Sequence, residues 1–144
     1  MLVSQILKSK SELGVVSVKP MATVSEAAKL LSEHRIGTVV VSRDGEALDG
    51  ILSERDIVRE LGKRGAGCLV DPVSALMTSK LTTCSPSNTA LEVLEMMTEG
   101  RFRHLPVIED GRMIGLISIG DAVKARLAEL SMEKASLEGM IMGY

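Results

Sequence analysis

Two stretches decide how this chain reads: Gly50-Ile51-Leu52-Ser53-Glu54-Arg55-Asp56 and Gly115-Leu116-Ile117-Ser118-Ile119-Gly120-Asp121. Each runs glycine, an apolar pair, serine, two spacers and aspartate. The apolar pair ends a strand pattern, and Ser-x-x-acid is a helix-opening pattern. Each stretch is therefore a strand-to-helix junction, and the chain of 144 residues contains it twice.

The duplication extends outward from these junctions. Sliding the sequence by 66 residues places Pro20 on Pro86, Thr23 on Thr89, Glu26 on Glu92, Glu33 on Glu99, Arg35 on Arg101, Val41 on Val107 and Asp44-Gly45 on Asp110-Gly111. A one-residue adjustment then places Gly50 on Gly115, Ser53 on Ser118, Asp56 on Asp121 and Val58 on Val123. Ordered matches with a single gap are the mark of a tandem repeat.

Each repeat reads as the same series. A short strand (Val15 to Val18; Leu81 to Cys84) leads through a proline turn to a helix (Val24 to His34; Thr89 to Gly100). A buried β-branched or apolar strand follows (Thr38 to Ser42; Leu105 to Ile108). Arg43-Asp44-Gly45 and Glu109-Asp110-Gly111 are expected to be hairpin turns, because Asp-Gly tolerates positive φ. A second strand (Ala47 to Leu52; Met113 to Ile117) runs into a last helix starting near Glu54 or Ile119. Residues 62–67, rich in glycine, read as a flexible loop, and Asp71 to Met77 as a short helix with Pro72 in its first position. The fold class is α+β: two strand-helix-strand-strand-helix units packed about a pseudo-twofold axis, with a cleft in two symmetry-related halves. By sequence order the chain divides into 1–68 (first motif with its N-terminal segment), 69–126 (second motif) and 127–144 (a C-terminal helical extension).

Composition narrows the function. Hydrophobic residues are 45% of the chain, but aromatics only 1%, so aliphatic residues and methionine fill the interior. A chain with one Phe and one Tyr, net charge −2 and pI near 5.7 has neither stacking platforms nor a basic footprint for nucleic acid. No stretch of about 18 apolar residues offers a membrane span. The N-terminal residues do not read as a signal peptide. Cys68 and Cys84 form no CxxC motif or disulfide framework, so the expectation is a reduced, cytoplasmic protein.

The two junctions resemble the glycine, apolar, Ser/Thr, two-spacer, Asp signature that ends each CBS motif. Phe102-Arg103-His104-Leu105-Pro106-Val107 is similar to the segment entering the central strand of such motifs. The resemblance covers residues 13 to 126 and implies a tandem CBS pair, or Bateman module, of the stand-alone bacterial type. Such a module implies binding of AMP, ADP, ATP, NAD(H) or S-adenosylmethionine in clefts between the motifs, and dimers built as a disc of four motifs. It also implies that Ile36 and Gly37 line the Asp121 cleft, and Phe102 and Arg103 the Asp56 cleft.

The residues suggest how such a ligand would be held. At each junction the aspartate (Asp56, Asp121) can accept two hydrogen bonds from a ribose diol. The serine (Ser53, Ser118) and the free N–H groups of the helix can face a phosphate. The same pattern is also a helix capping box, which needs no ligand; that box prefers Glu or Gln, because Asp is short for the reach back. Arg35, Arg101, Arg103 and His104 precede the central strands. An arginine fork suits phosphate, although an isolated arginine is more often a solvated charge. Ile36, Ile51, Ile117 and Leu81 are candidate walls for adenine, with core packing the alternative. Phe102 either stacks on a base or simply packs. Glu54 and Arg55 make the first site charged and bulky. Ile119 and Gly120 leave the second open, so the Asp121 cleft is expected to be the better one. His34 and His104 lack clustered partners, so neither metal nor catalytic residues are expected.

Apolar Ala90, Leu91, Val93, Leu94, Met96 and Met97 span an arc about 220° wide on their helix, more than one core needs. Val123, Leu127, Leu130, Leu137 and Ile141 form another stripe, interrupted by Lys134. The first points to a homodimer, with burial inside a monomer as the alternative; the second suits packing across a dimer or docking an unidentified protein target. The sequence thus reads as a non-enzymatic regulatory module sensing energy or redox state, requiring no cofactor. The competing reading is a homodimeric structural or adaptor protein with no physiological ligand.

Overall fold

The computed structural model describes residues 1–10 and 15–142. Its elements are α1 (Val3–Ser9), β1 (Ser17–Val18), α2 (Val24–His34), β2 (Thr38–Val41), β3 (Gly50–Ser53), α3 (Glu54–Arg64), α4 (Val73–Leu76), α5 (Ala90–Gly100), β4 (His104–Glu109), β5 (Arg112–Ser118) and α6 (Ile119–Met142). Mixed helices and small sheets confirm the α+β class. The glycine-rich segment departs from expectation. Residues 62–64 complete α3 and Gly65–Val70 coil into a 3-10 helix. Arg64 holds that turn, bonding Glu60 at 2.8 Å and Asp71 at 2.6 Å.

Four helices open with capping boxes. Thr23 and Glu26 close one on α2, and Thr89 and Glu92 one on α5. Both of these helices end on an arginine in the left-handed region, Arg35 at φ 54° and Arg101 at φ 58°. Glycine is the usual residue there, since a side chain makes αL costly. Arg43-Asp44-Gly45 does not form a tight hairpin. Asp44 instead accepts N–H bonds from Glu46 and Ala47, and Asp49 takes both the backbone and side chain of Arg43. This wider loop delays β3 to Gly50. Asp110 (φ 51°) and Gly111 (φ 76°) do make the two-residue turn that their positive φ angles allow.

Spatially the chain groups into two compact units that differ from the sequence-order division. One holds Met1–Glu12, Thr83–Glu109 and Gly115–Tyr144; the other holds Leu13–Thr82 and Asp110–Ile114. The N-terminal segment thus lies with the second repeat, and the 69–82 segment with the first.

In the unit of the first repeat, β2 is central, parallel to β1 and antiparallel to β3. All four β2 residues are buried. Val18, Val24, Ala27, Leu31, Val39, Leu52, Ile57 and Val73 make its core. The tip of the second hairpin joins this unit, where Met113 N–H donates to the Glu46 carbonyl.

In the unit of the second repeat, β4 pairs with β5. Val3, Ile6, Cys84, Ala90, Val93, Met97, Leu105, Val107, Ile117, Ala122 and Ala125 form its core. The predicted strand from Leu81 to Cys84 contracts to a single parallel bridge, Cys84 with Val107. Pro106 explains the contraction. In the first repeat Val40 N–H donates to the Val16 carbonyl, and Ser42 N–H to that of Val18. In the second, Ile108 N–H still donates to Cys84, but the counterpart of Val40 is Pro106, which has no N–H to give.

The two leading helices follow one scheme. Val73 N–H donates to Ala22 O and Ser74 N–H to Pro20 O; Val3 N–H donates to Asn88 O and Ser4 N–H to Pro86 O. A Cβ on Gly50 would lie 2.7 Å from the Met77 sulfur, and one on Gly115 would lie 2.7 Å from Leu7 Cδ2. The signature glycine of each junction is therefore the floor on which a leading helix rests. Each leader packs on the repeat that does not follow it in sequence.

Candidate functional site

Both Ser-x-x-Asp junctions are completed capping boxes. Ser53 Oγ accepts from Asp56 N–H at 3.2 Å, and Asp56 Oδ2 accepts from Ser53 N–H at 2.9 Å. Ser118 Oγ accepts from Asp121 N–H at 3.1 Å, and Asp121 Oδ2 accepts from Ser118 N–H at 2.9 Å. The expectation that aspartate is too short for the reach back is corrected: both aspartates make it. Each carboxylate thus has a structural task before any ligand arrives.

Their remaining oxygens differ. Asp56 Oδ2 also accepts from Ser53 Oγ, and its Oδ1 faces Arg59 Nη1 at 3.3 Å. Its side chain is 11% exposed. At the second junction Lys10 Nζ reaches back from the leading helix to Asp121 Oδ2 at 2.8 Å and to the Leu116 carbonyl at 3.0 Å. Asp121 Oδ1 takes no hydrogen bond among the described residues, and the side chain is 23% exposed. Burial pushes the Asp121 carboxyl upward. The hydrogen bond from Lys10, with those from Ser118, outweighs this and holds it below the ordinary carboxylate value.

Lys10 was not a sequence candidate, yet its signal was present. Val3-Ser4-Gln5-Ile6-Leu7-Lys8-Ser9-Lys10 and Val73-Ser74-Ala75-Leu76-Met77-Thr78-Ser79-Lys80 match at an offset of 70 residues. The reading at 66 left this leader outside the repeat. Lys80, the counterpart of Lys10, is exposed and makes no ion pair among the described residues, so Asp56 relies on Arg59 instead.

The pre-strand segments bond to the junction of their own repeat. Glu54 N–H donates to the Gly37 carbonyl at 2.9 Å, and Ile119 N–H to the Arg103 carbonyl at 2.8 Å. Ile36 and Gly37 are half-buried, whereas Arg55, Phe102, Arg103, Ile119 and Gly120 are exposed. His104 is half-buried at the start of β4, and Leu81 half-buried in an irregular segment. The Phe102 ring lies across Gly100, leaving no room for a Cβ there, so the ring packs on its own helix end. Ile117 is fully buried in the core, which removes it as a ligand wall. An open cavity of about 490 Å³ in the first repeat's unit is bounded by Leu31, Arg35, Ile36, Gly37, Glu54 and Ile57. Ser53 and Asp56 do not line it.

A leading helix, a signature glycine and a box-closing aspartate, built twice, define a class of duplicated α+β modules. The CBS domain family matches this chain at residues 3–63 and 73–128, and the chain belongs to that family. A mitochondrial CBS domain-containing protein of Arabidopsis thaliana is 40% identical over 125 residues, covering 84% of this chain. The chain spans only 61% of that relative's length. Among solved structures, a CBS-domain containing protein from Agrobacterium tumefaciens is 44% identical, with a TM-score of 0.82 over 88% of this chain and 99% of its own. A CBS domain protein from Pyrobaculum aerophilum, solved in complex with AMP, is 27% identical with a TM-score of 0.73, covering 84% of this chain and 89% of its own.

Proposed function

We propose that this protein is a regulatory module that binds adenine nucleotides or dinucleotides at its Ser-x-x-Asp junctions without transforming them, as a sensor of energy or redox state. The observation that carries the reading is the state of Asp121. One carboxylate oxygen is anchored by Ser118 and Lys10, and the other is uncommitted beside the exposed N-terminus of α6. An anchored carboxylate with a spare oxygen suits a ribose hydroxyl, because its position is set before the ligand arrives. Ser118, Ile119 and Gly120 would contact the same ligand. Asp56, Ser53 and Arg55 would form a weaker second site, since Arg59 already engages Asp56. AMP in the Pyrobaculum relative supports the ligand class.

Binding without chemistry agrees with the thiol of Cys84, which burial pushes up to about 11, leaving it a protonated non-nucleophile at neutral pH. Among the described residues no helix is long and apolar enough to cross a membrane. The reading places the protein in the cytoplasm as a homodimer. The competing adaptor reading draws on one observation: both boxes are completed by the chain's own serine, aspartate and backbone groups.

Calorimetric titration with AMP, ATP, NADH and S-adenosylmethionine separates the two. The sensor reading expects a saturable binding event for at least one of them, and its loss in Asp121→Asn. A folded protein that binds none of them leaves only the adaptor.

A further inference from the structure

We infer that Lys10 makes the Asp121 site selective for phosphate-bearing adenosine over neutral or cationic adenosine derivatives. The inference rests on the binding reading above and names the ligand class within it.

An aspartate alone is a poor neighbour for a phosphate, since its charge repels the anion at close range. In the second repeat's unit that charge is balanced. Lys10 Nζ lies 2.8 Å from Asp121 Oδ2, and two of its three protons go to Asp121 and to the Leu116 carbonyl. The third has no acceptor among the described residues, and the lysine side chain remains 26% exposed. Asp121 Oδ1 is left for a sugar hydroxyl, so the ribose contact and the lysine contact do not compete for one oxygen.

Among the described residues, no second acid bonds to these groups. Ile119 and Gly120 are neutral, the N-terminal end of the α6 dipole adds partial positive charge, and Arg103, whose carbonyl accepts from Ile119 N–H, is exposed beside them. With Lys10 in place the local balance is positive. Without it, Asp121 would cancel the charge of Arg103. At the first junction the same place in the leader is taken by Lys80, which does not pair with Asp56, while Glu54 adds a second acid. The two junctions therefore differ in charge as well as in the freedom of their aspartates.

The lysine comes from the leader of the first repeat, packed on the second by Val3 and Ile6. The charge that reads the ligand is thus delivered by a different part of the chain from the carboxylate that holds the sugar.

The test compares AMP with adenosine, which share base and sugar and differ in phosphate, for the full chain and for Lys10→Met, Lys10→Arg and Lys8→Met. Lys8 is an exposed residue of the same helix, so its variant makes the same change in net charge away from the site. The expected result is an AMP-to-adenosine affinity ratio lowered about tenfold in Lys10→Met, restored in Lys10→Arg and unchanged in Lys8→Met. The ratio rather than either affinity alone is the readout, because loss of the Lys10 anchor at Asp121 weakens the ribose contact of both ligands alike, and a melting temperature near the original separates lost charge reading from a damaged fold. S-adenosylmethionine, a cation, should lose less affinity than AMP in Lys10→Met. If AMP binds through Asp121 and the ratio is the same with and without the Lys10 charge, this inference fails while the binding reading stands. If neither AMP nor adenosine binds the original protein, both fail.

Discussion

Asp121 has two tasks that a single carboxylate seldom combines, capping α6 and holding Lys10. Both favour its ionised form, and together they outweigh the opposing effect of burial. The sign of the pH dependence follows. A carboxyl whose folded value lies below its unfolded one contributes stability that is present above the ordinary value of 3.8 and lost as pH falls through the depressed folded value. Denaturant titrations at a series of acidic pH values should show this loss, and Asp121→Asn should flatten that part of the profile. At neutral pH the same variant should cost about 1 kcal/mol, as loss of a capping residue does. An unaltered acid limb in Asp121→Asn would mean that the Lys10 pair adds nothing to stability. The role of the aspartate as a box-closer was legible as an alternative in the sequence. The position of Lys10 was legible as the repeat counterpart of Lys80, but its pairing with a residue 111 positions away along the chain has no local signature.

At the scale of elements, regularity and its failures have identifiable causes. The helix from Val24 to His34 was readable to the residue, since Thr23 and Glu26 mark its start and apolar spacing marks its length. The strand expected from Leu81 to Cys84 was not realised, and Pro106 on the opposing strand is the reason. Pro106→Val would supply the missing donor opposite Thr82. The expected outcome is slow hydrogen exchange of the new amide at position 106 and a β1-like pairing over residues 82–84, with stability changed by no more than about 1 kcal/mol. Rapid exchange at that amide would show that something other than the proline keeps the segment irregular. The hairpin loops teach the same lesson. Asp-Gly occurs in both, but only Asp110-Gly111 makes the tight turn, because Asp44 turns its carboxylate onto the following N–H groups.

At the scale of the whole molecule, α6 extends beyond its repeat, and every residue from Ser131 to Glu138 is exposed. A projecting helix of this length is marginal in water without a partner. Val123, Leu127, Leu130, Lys134, Leu137 and Ile141 alternate by four and three residues, a stripe about 80° wide at 100° per residue, which is the width of a coiled-coil seam. Leu127 is 62% exposed and Ile141 83%. In the proposed homodimer, the charges would select the direction of pairing. Parallel helices would bring Lys134 onto its own counterpart and Glu133 onto Glu138 of the second copy. Antiparallel helices bring Lys124 onto Glu138 of the second copy, twice. Cysteine variants should therefore crosslink Val123→Cys of one copy to Ile141→Cys of the other in a mixture, and neither to itself. Self-crosslinking of each variant would reverse the direction, and a dimer lacking both crosslinks would move the interface elsewhere.

The sequence by itself determined the duplication, the helices and their caps, the burial of the central strands and the membership in the CBS domain family. These follow from local spacing, which acts through the chain's own periodicity. Only the tertiary structure decided that each leading helix packs on the other repeat, that the signature glycines make room for it, and that Lys10 rather than a nearby arginine pairs with Asp121. Those are contacts between residues far apart in the chain, chosen by close packing and charge once the backbone has folded, and nothing in local periodicity encodes them.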